Sequence, residues 1–174
     1  MNRQFQIRIK DAKAQLQAHT GAARHEPAAG QVLLQVIAAS LNYRDLLTLQ
    51  GAASGAARDG LVPLSDAVGT VLAVGDGVQG WQVGDRASPN FFPAWVDGRF
   101  DPAHLQEALG GGNTDGVLSQ QLLVSAQSLV APAAHLSVGA DRILSHRADW
   151  ILSQANVPAF EDRLWISVGL VALA

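Results

Sequence analysis

Short apolar runs separated by glycine-rich turns recur along this chain at roughly the 8–12-residue spacing of all-β domains, and that rhythm limits the fold more than any other feature. Phe5, Ile7 and Ile9 alternate with Gln4, Gln6, Arg8 and Lys10, a period of two that predicts a half-buried strand. Gln31 to Ala39 predicts a second strand, with Val32, Leu34 and Val36 on one face and Leu33 and Ile37 on the other. Both of its faces are therefore expected to be covered. Val68 to Val74 is a third, Val83 to Arg86 leads into a fourth, and Val117 to Val124 and Leu129 to Ala131 return to strand character. Gly75, Gly77 and Gly80 punctuate the turns. The pattern predicts a small β-barrel or sandwich, mainly β with short helices.

The period changes at Asn42, a residue suited to helix N-caps because its side-chain oxygen can accept an orphan N–H of the first turn. A short helix is expected from about Tyr43 to Gln50, with Gly51 just past its end. Residues 20–30 and 51–60 read as loops. Residues 89–116 hold no clear period and carry Pro89, Pro93, Pro102 and Gly110-Gly111-Gly112, so they form a long excursion of the kind that usually serves function or moves. Ile143, Leu144, Arg147, Ala148, Ile151, Leu152 and Ala155 fall at helical spacing, with Asp141 as a cap and Pro158 as a stop. Leu164 to Ala174 is apolar throughout and fits a buried strand or a short helix equally well.

Composition excludes several functions. Twelve basic against 15 acidic residues, a net charge of −3, leaves no electrostatic footprint for nucleic acid. The chain has no cysteine, which removes disulfides, thiolate metal sites and cysteine nucleophiles. The five histidines, His19, His25, His104, His135 and His146, are scattered and form no i, i+4 pair. No apolar run approaches the roughly 18–20 residues of a membrane span, and the N-terminus has no apolar core of a secretory signal. A cytoplasmic protein is expected.

Several ordered motifs resemble one family. They are Ala38-Ala39-Ser40-Leu41-Asn42-Tyr43-Arg44-Asp45, Val62-Pro63-Leu64-Ser65-Asp66-Ala67-Val68-Gly69, Val83-Gly84-Asp85-Arg86, Phe91-Phe92-Pro93-Ala94-Trp95-Val96-Asp97-Gly98 and Asp115-Gly116-Val117-Leu118. Val130 to Ser137 continues the match. Together they resemble the catalytic half of the medium-chain dehydrogenase/reductase family, in its zinc-free alcohol dehydrogenase and quinone oxidoreductase branch. The resemblance covers about residues 1–137 and implies a GroES-like, partly open β-barrel. Residues 138–174 then form a second unit, an α/β tail that is a remnant or a divergent segment.

The resemblance also implies a site. Zinc-dependent members carry a Cys and a Gly-His-Glu; the corresponding slots here are Asn42 (or Tyr43) and Leu64-Ser65-Asp66. Neither slot supplies a thiolate or an imidazole, so no metal is expected. Asn42 and Tyr43 are expected as catalytic groups, an amide and a phenol able to hydrogen-bond a carbonyl that gains charge as hydride arrives. Arg44 and Asp45 are expected to face the cofactor, and Ser65 and Asp66 to be structural. The cofactor implied is NAD(P)H, and the substrate a small carbonyl compound, alcohol or quinone.

A complete member also has a Rossmann half, in which a strand, a G-x-G-x-x-G turn and a helix hold the pyrophosphate. Gly75-Asp76-Gly77 precedes a turn and a strand, not a helix, and Gly110-Gly111-Gly112 has no strand before it, so no complete Rossmann unit is read here. The alternative to an active oxidoreductase is a non-catalytic GroES-like module that works through protein contacts. The apolar tail raises the expectation of a homodimer, since exposed apolar patches usually mark interfaces.

Overall fold

The computed structural model describes residues 2–11, 13–22, 26–50, 57–111, 113–132 and 165–168, the last of these and residue 22 as backbone only. The chain opens with a hairpin of β1 (Asn2–Lys10) and β2 (Lys13–Ala22). β3 (Gln31–Leu41) is followed by α1 (Tyr43–Leu49), β4 (Asp66–Val74) and β5 (Arg86–Pro89). After a 3₁₀ turn at Pro102–Glu107 come β6 (Gln121–Ser125), β7 (Leu129–Val130) and β8 (Trp165–Val168). The expected mainly-β architecture with short helices is what the chain adopts.

β3 is the spine. Its order in the sheet is β6-β3-β4-β5-β7, antiparallel throughout. β4 runs along one edge of β3, pairing Val32 with Val74 and Ser40 with Asp66. The other edge is shared: β6 takes Gln31–Gln35, and β8 pairs in parallel with Ala38–Leu41. Val32, Leu34 and Val36 are buried while Leu33 and Ile37 are half-buried, so both faces of β3 are covered as expected. Val32, Leu34, Val71, Ala87 and Leu129 form one core cluster, with Val78 and Trp81 packed against it. The Trp81 indole donates to the Ala126 carbonyl at 3.1 Å, which satisfies its one polar atom.

The β1–β2 hairpin lies outside this sheet and is bridged to the segments that precede β4 and β6. Gln4 bridges Ser119 and Ile7 bridges Leu61. Phe5 then packs with Ala39, Leu41, Val62, Leu64, Leu109, Val117 and Leu118, while Ile7 packs with Ala57 and Leu61. The buried Asn2 and Ser119 side chains bond each other, and Ser119 also donates to the Gln121 carbonyl.

Several expectations shift. Residues 13–22 are a strand where no strand was read, and the loop expected over 20–30 begins later. The strand expected over Val117–Val124 forms as β6, Gln121–Ser125. Part of the segment that fitted strand or helix equally, Trp165–Val168, is a strand, and it adds to the sheet of the first unit. The helix expected after Asp141, the cap at Gly51 and the dimer expected through the tail fall wholly or largely outside the described residues. Among the described residues, no helix is long and apolar enough to cross a membrane.

Candidate functional site

The site forms where β3 hands over to α1. Asn42 leaves the strand extended (φ −114°, ψ 156°) and takes the N-cap position of a seven-residue helix. The helix is too short to stand on propensity and depends on packing. Its cap is a capping box that pairs Asn42 with Asp45. The Asp45 carboxylate reaches back and accepts the Asn42 backbone N–H at 2.7 Å, while the Asn42 amide nitrogen turns outward to donate to Asp66 and, at 3.4 Å, to Ser65 Oγ. Ser65 Oγ in turn donates to Asp66 Oδ2 at 2.9 Å. Asn42, Ser65 and Asp66 thus form a closed hydrogen-bonded triangle at the mouth of the sheet. Asn42 is half-buried, Ser65 buried and Asp66 exposed.

Two segments hold the triangle from behind. Leu64 has a left-handed backbone (φ 70°), rare for a branched side chain, and its side chain is buried. The carbonyls of residues 62–64 accept N–H groups from Gly116, Leu118 and Val117. The Asp115 carboxylate closes the same junction by accepting from Val62 N–H at 3.0 Å and from Arg58 at 2.6 Å.

The four residues expected at the site are brought together by α1, and they face different ways. The Tyr43 side chain is 74% exposed. Arg44 lies over the Phe91 ring at 4.8 Å and donates to the Leu109 carbonyl at 2.5 Å, pinning α1 to the excursion. Asp45 is 3% exposed. The excursion itself is organised by rings: Phe92 touches Phe91, Trp95 and Phe100, and His104 stacks on Trp95. His104 Nδ1 accepts the Asp101 N–H, and Asp101 accepts the Ala103 N–H, so the 3₁₀ turn at Pro102 is capped from both sides.

Asp45 is the electrostatic exception. Burial pushes its carboxyl up to about 6; N–H donation from Asn42, the Arg44 charge and N–H donation from Leu64 only partly offset this, and the nearby Asp66 adds to the rise. The sign for stability follows from linkage. The folded chain holds this proton more tightly than the unfolded one, so the contribution is full below about pH 4, falls as pH climbs to about 6, and is flat above. The unfolding free energy of the native chain relative to Asp45→Asn is expected to drop by about 2 kcal/mol between pH 4 and pH 7. Urea titrations of both chains across that range check it; a difference that rises with pH contradicts the assignment.

The glycines at 75, 77 and 80 have dinucleotide-fingerprint spacing, yet they sit in the turn between β4 and β5. Gly75 N–H donates to Gln31, Val78 N–H to Gly75, and no helix follows. The turn reading of these glycines stands.

A curled antiparallel sheet with one helix seated at the end of its central strand, and a polar cluster at that junction, defines the GroES-like half of medium-chain dehydrogenases and reductases. Residues 28–134 match the alcohol dehydrogenase GroES-like domain, and the chain belongs to that family. It is 37% identical over 108 residues to a zinc-type alcohol dehydrogenase-like protein of Schizosaccharomyces pombe, covering 62% of this chain and 31% of that protein. It is 35% identical over 112 residues to acryloyl-coenzyme A reductase of Metallosphaera sedula, covering 60% and 33%. Among solved structures, an alcohol dehydrogenase from Sinorhizobium meliloti 1021 superposes with a TM-score of 0.67 at 30% identity, over 78% of this chain and 40% of that one. The chain spans about a third of the length of the curated relatives it matches.

Ser65 and Asp66, expected to be structural, are the other two corners of the triangle, and the left-handed Leu64 lies directly before them. The pair Asn42 and Asp45, three residues apart at a helix start, carries the capping-box spacing that would have pointed to the buried carboxylate.

Proposed function

We propose that this chain is the substrate-facing half of a zinc-independent, NAD(P)H-linked oxidoreductase acting on a small carbonyl compound, alcohol or quinone. The observation that carries the reading is the Asn42–Ser65–Asp66 triangle. It stands in the family's metal slots with an amide, a hydroxyl and one carboxylate, and the carboxylate already accepts from the other two. Such a set is a poor match for zinc, which prefers thiolate and imidazole. Among the described residues no group of three or more His, Asp or Glu could hold a metal. When bound, the nicotinamide supplies or accepts the hydride. The chain's own part is to orient the carbonyl. Both hydrogens of the Asn42 amide are spent on Ser65 and Asp66, so the group left to donate to a developing oxyanion is the exposed Tyr43 phenol beside it. Arg44 and Asp45, first expected at the cofactor, serve in this reading as the scaffold that aims Asn42.

A second reading is favoured by the glycines at 75–80, which form a turn rather than a phosphate cradle. In it the chain is a GroES-like module working through protein contacts. Calorimetric titration of NADPH into the purified chain, with circular dichroism confirming its fold, separates the two. Micromolar binding is the result expected of the oxidoreductase. A folded chain that takes up no NADPH at millimolar concentration overturns that reading for this chain and leaves the module.

A further inference from the structure

We propose that Arg44 is a positioning residue: its guanidinium fastens the first turn of α1 to the aromatic excursion and so fixes where the Tyr43 phenol stands. That role presupposes the donor role proposed above for Tyr43, whereas the fastening stands on geometry alone. Arg44 Nη2 donates to the Leu109 carbonyl at 2.5 Å, and the guanidinium lies over the Phe91 ring, 4.8 Å from its centroid. Leu109 N–H in turn donates to the Phe91 carbonyl at 3.0 Å. Phe91 and Leu109 therefore form the closed neck of the excursion, and one side chain from α1 grips both sides of that neck.

Tyr43 opens a seven-residue helix and its side chain is exposed. An exposed ring at the start of a short helix is placed by its backbone rather than by packing, so whatever holds the first turn holds the phenol. Beyond the neck the rings continue outward. Phe91 meets Phe92 at 4.3 Å between centroids, Phe92 meets Phe100 at 5.0 Å, and Phe100 meets Trp95 at 5.2 Å and His104 at 5.4 Å. Rings packed edge to face in this way transmit a displacement from one to the next. The outer end of the cluster is open to solvent, since Phe100 and Leu105 are exposed. A displacement begun at Phe100 is thus carried to Phe91, through the guanidinium above it, and to the residue beside Tyr43. A planar, delocalised cation is what this joint needs, because it lies flat on a ring and still points an N–H at a carbonyl.

The chain has one tyrosine, so 3-fluorotyrosine incorporated into the full chain gives a fluorine NMR signal from residue 43 alone. Arg44→Met is expected to shift that signal, and so is Phe91→Leu, which removes the ring under the guanidinium. In the Arg44→Met background, Phe91→Leu is expected to move it no further, and Arg44→Lys is expected to restore only part of the response. A merely structural Arg44 would lower the denaturant midpoint and leave the fluorine signal unmoved. That result overturns the proposal, as does a Phe91→Leu shift of equal size with and without Arg44. Should Phe91→Leu fail to fold, Phe100→Leu, at the exposed end of the same cluster, takes its place with the same two outcomes. The measurement is made without cofactor. A chain that takes up no NADPH sinks the oxidoreductase reading and leaves this coupling standing; one that binds NADPH with an unresponsive Tyr43 sinks the coupling alone.

Discussion

Gly116→Ala is expected to leave the chain largely unfolded under conditions where the native protein is stable. A Cβ at residue 116 would lie 1.9 Å from the Leu64 carbonyl oxygen and 2.5 Å from that of Pro63. These are backbone atoms, which cannot rotate away as a side-chain tip would. The same carbonyls are engaged by the N–H groups of Val117 and Leu118, so retreat breaks the bonds that hold the excursion to the site. Overpacking of this kind costs roughly 3 kcal/mol or more, a large share of a domain's net stability. Gly77→Ala provides the contrast. Its φ of +72° is unfavourable for alanine, but nothing lies within 4 Å of the new methyl group. A loss of about 1 kcal/mol is expected there. Urea unfolding followed by circular dichroism ranks the two; equal midpoints would show that the close approach at Gly116 relaxes freely.

At Leu64 the usual order of alanine and glycine should reverse. Both Leu64→Ala and Leu64→Gly empty the same buried space, at about 3 kcal/mol each. They differ in the backbone. The left-handed φ of 70° costs a non-glycine residue about 1–2 kcal/mol, which glycine avoids. Glycine's freer unfolded chain takes back about 0.4–1 kcal/mol. The balance favours the glycine variant by about 0.5–1 kcal/mol, although alanine is the better residue in most folded contexts. Denaturant midpoints of the two variants, measured side by side, give the sign. An alanine variant that is the more stable would show that residue 64 leaves the left-handed region when its side chain is cut. The leucine tolerates its strain because the side chain packs into the core around Phe5, Leu41 and Val117.

What could be read from sequence was what depends on period. β1, β3 and β4 carry alternating or continuous branched apolar residues, the signal a strand leaves in sequence. β2 was missed because its inward positions are Ala14 and Leu16, half-buried, among Gln15, Gln17 and Ala18. Too little apolar surface alternates there to register as a strand, and it is the long register with β1 that fixes it. Asn42 was legible as a helix start. The direction of its side chain was not, because Ser65 and Asp66 reach it only through the β3–β4 pairing. Arg44 and Asp45, adjacent and oppositely charged, carry no local sign of which one is buried. Their separate fates depend on Phe91 and Leu64, which come from segments whose path no local pattern specifies. The family resemblance located the site; which side chains are exposed there and which are buried had to come from the packing.

β3 also imposes an order of events on folding. Its partners along one edge begin only at Gln121 and Trp165, far down the chain from Gln31. The central ladder therefore cannot close on local contacts, and each pairing waits on the entropy of a long loop. The β1–β2 hairpin, by contrast, closes on itself across a tight turn. A newly made chain will carry β3 with one edge unpaired until these late segments arrive, and during that interval β3 is open to pairing with a neighbouring molecule.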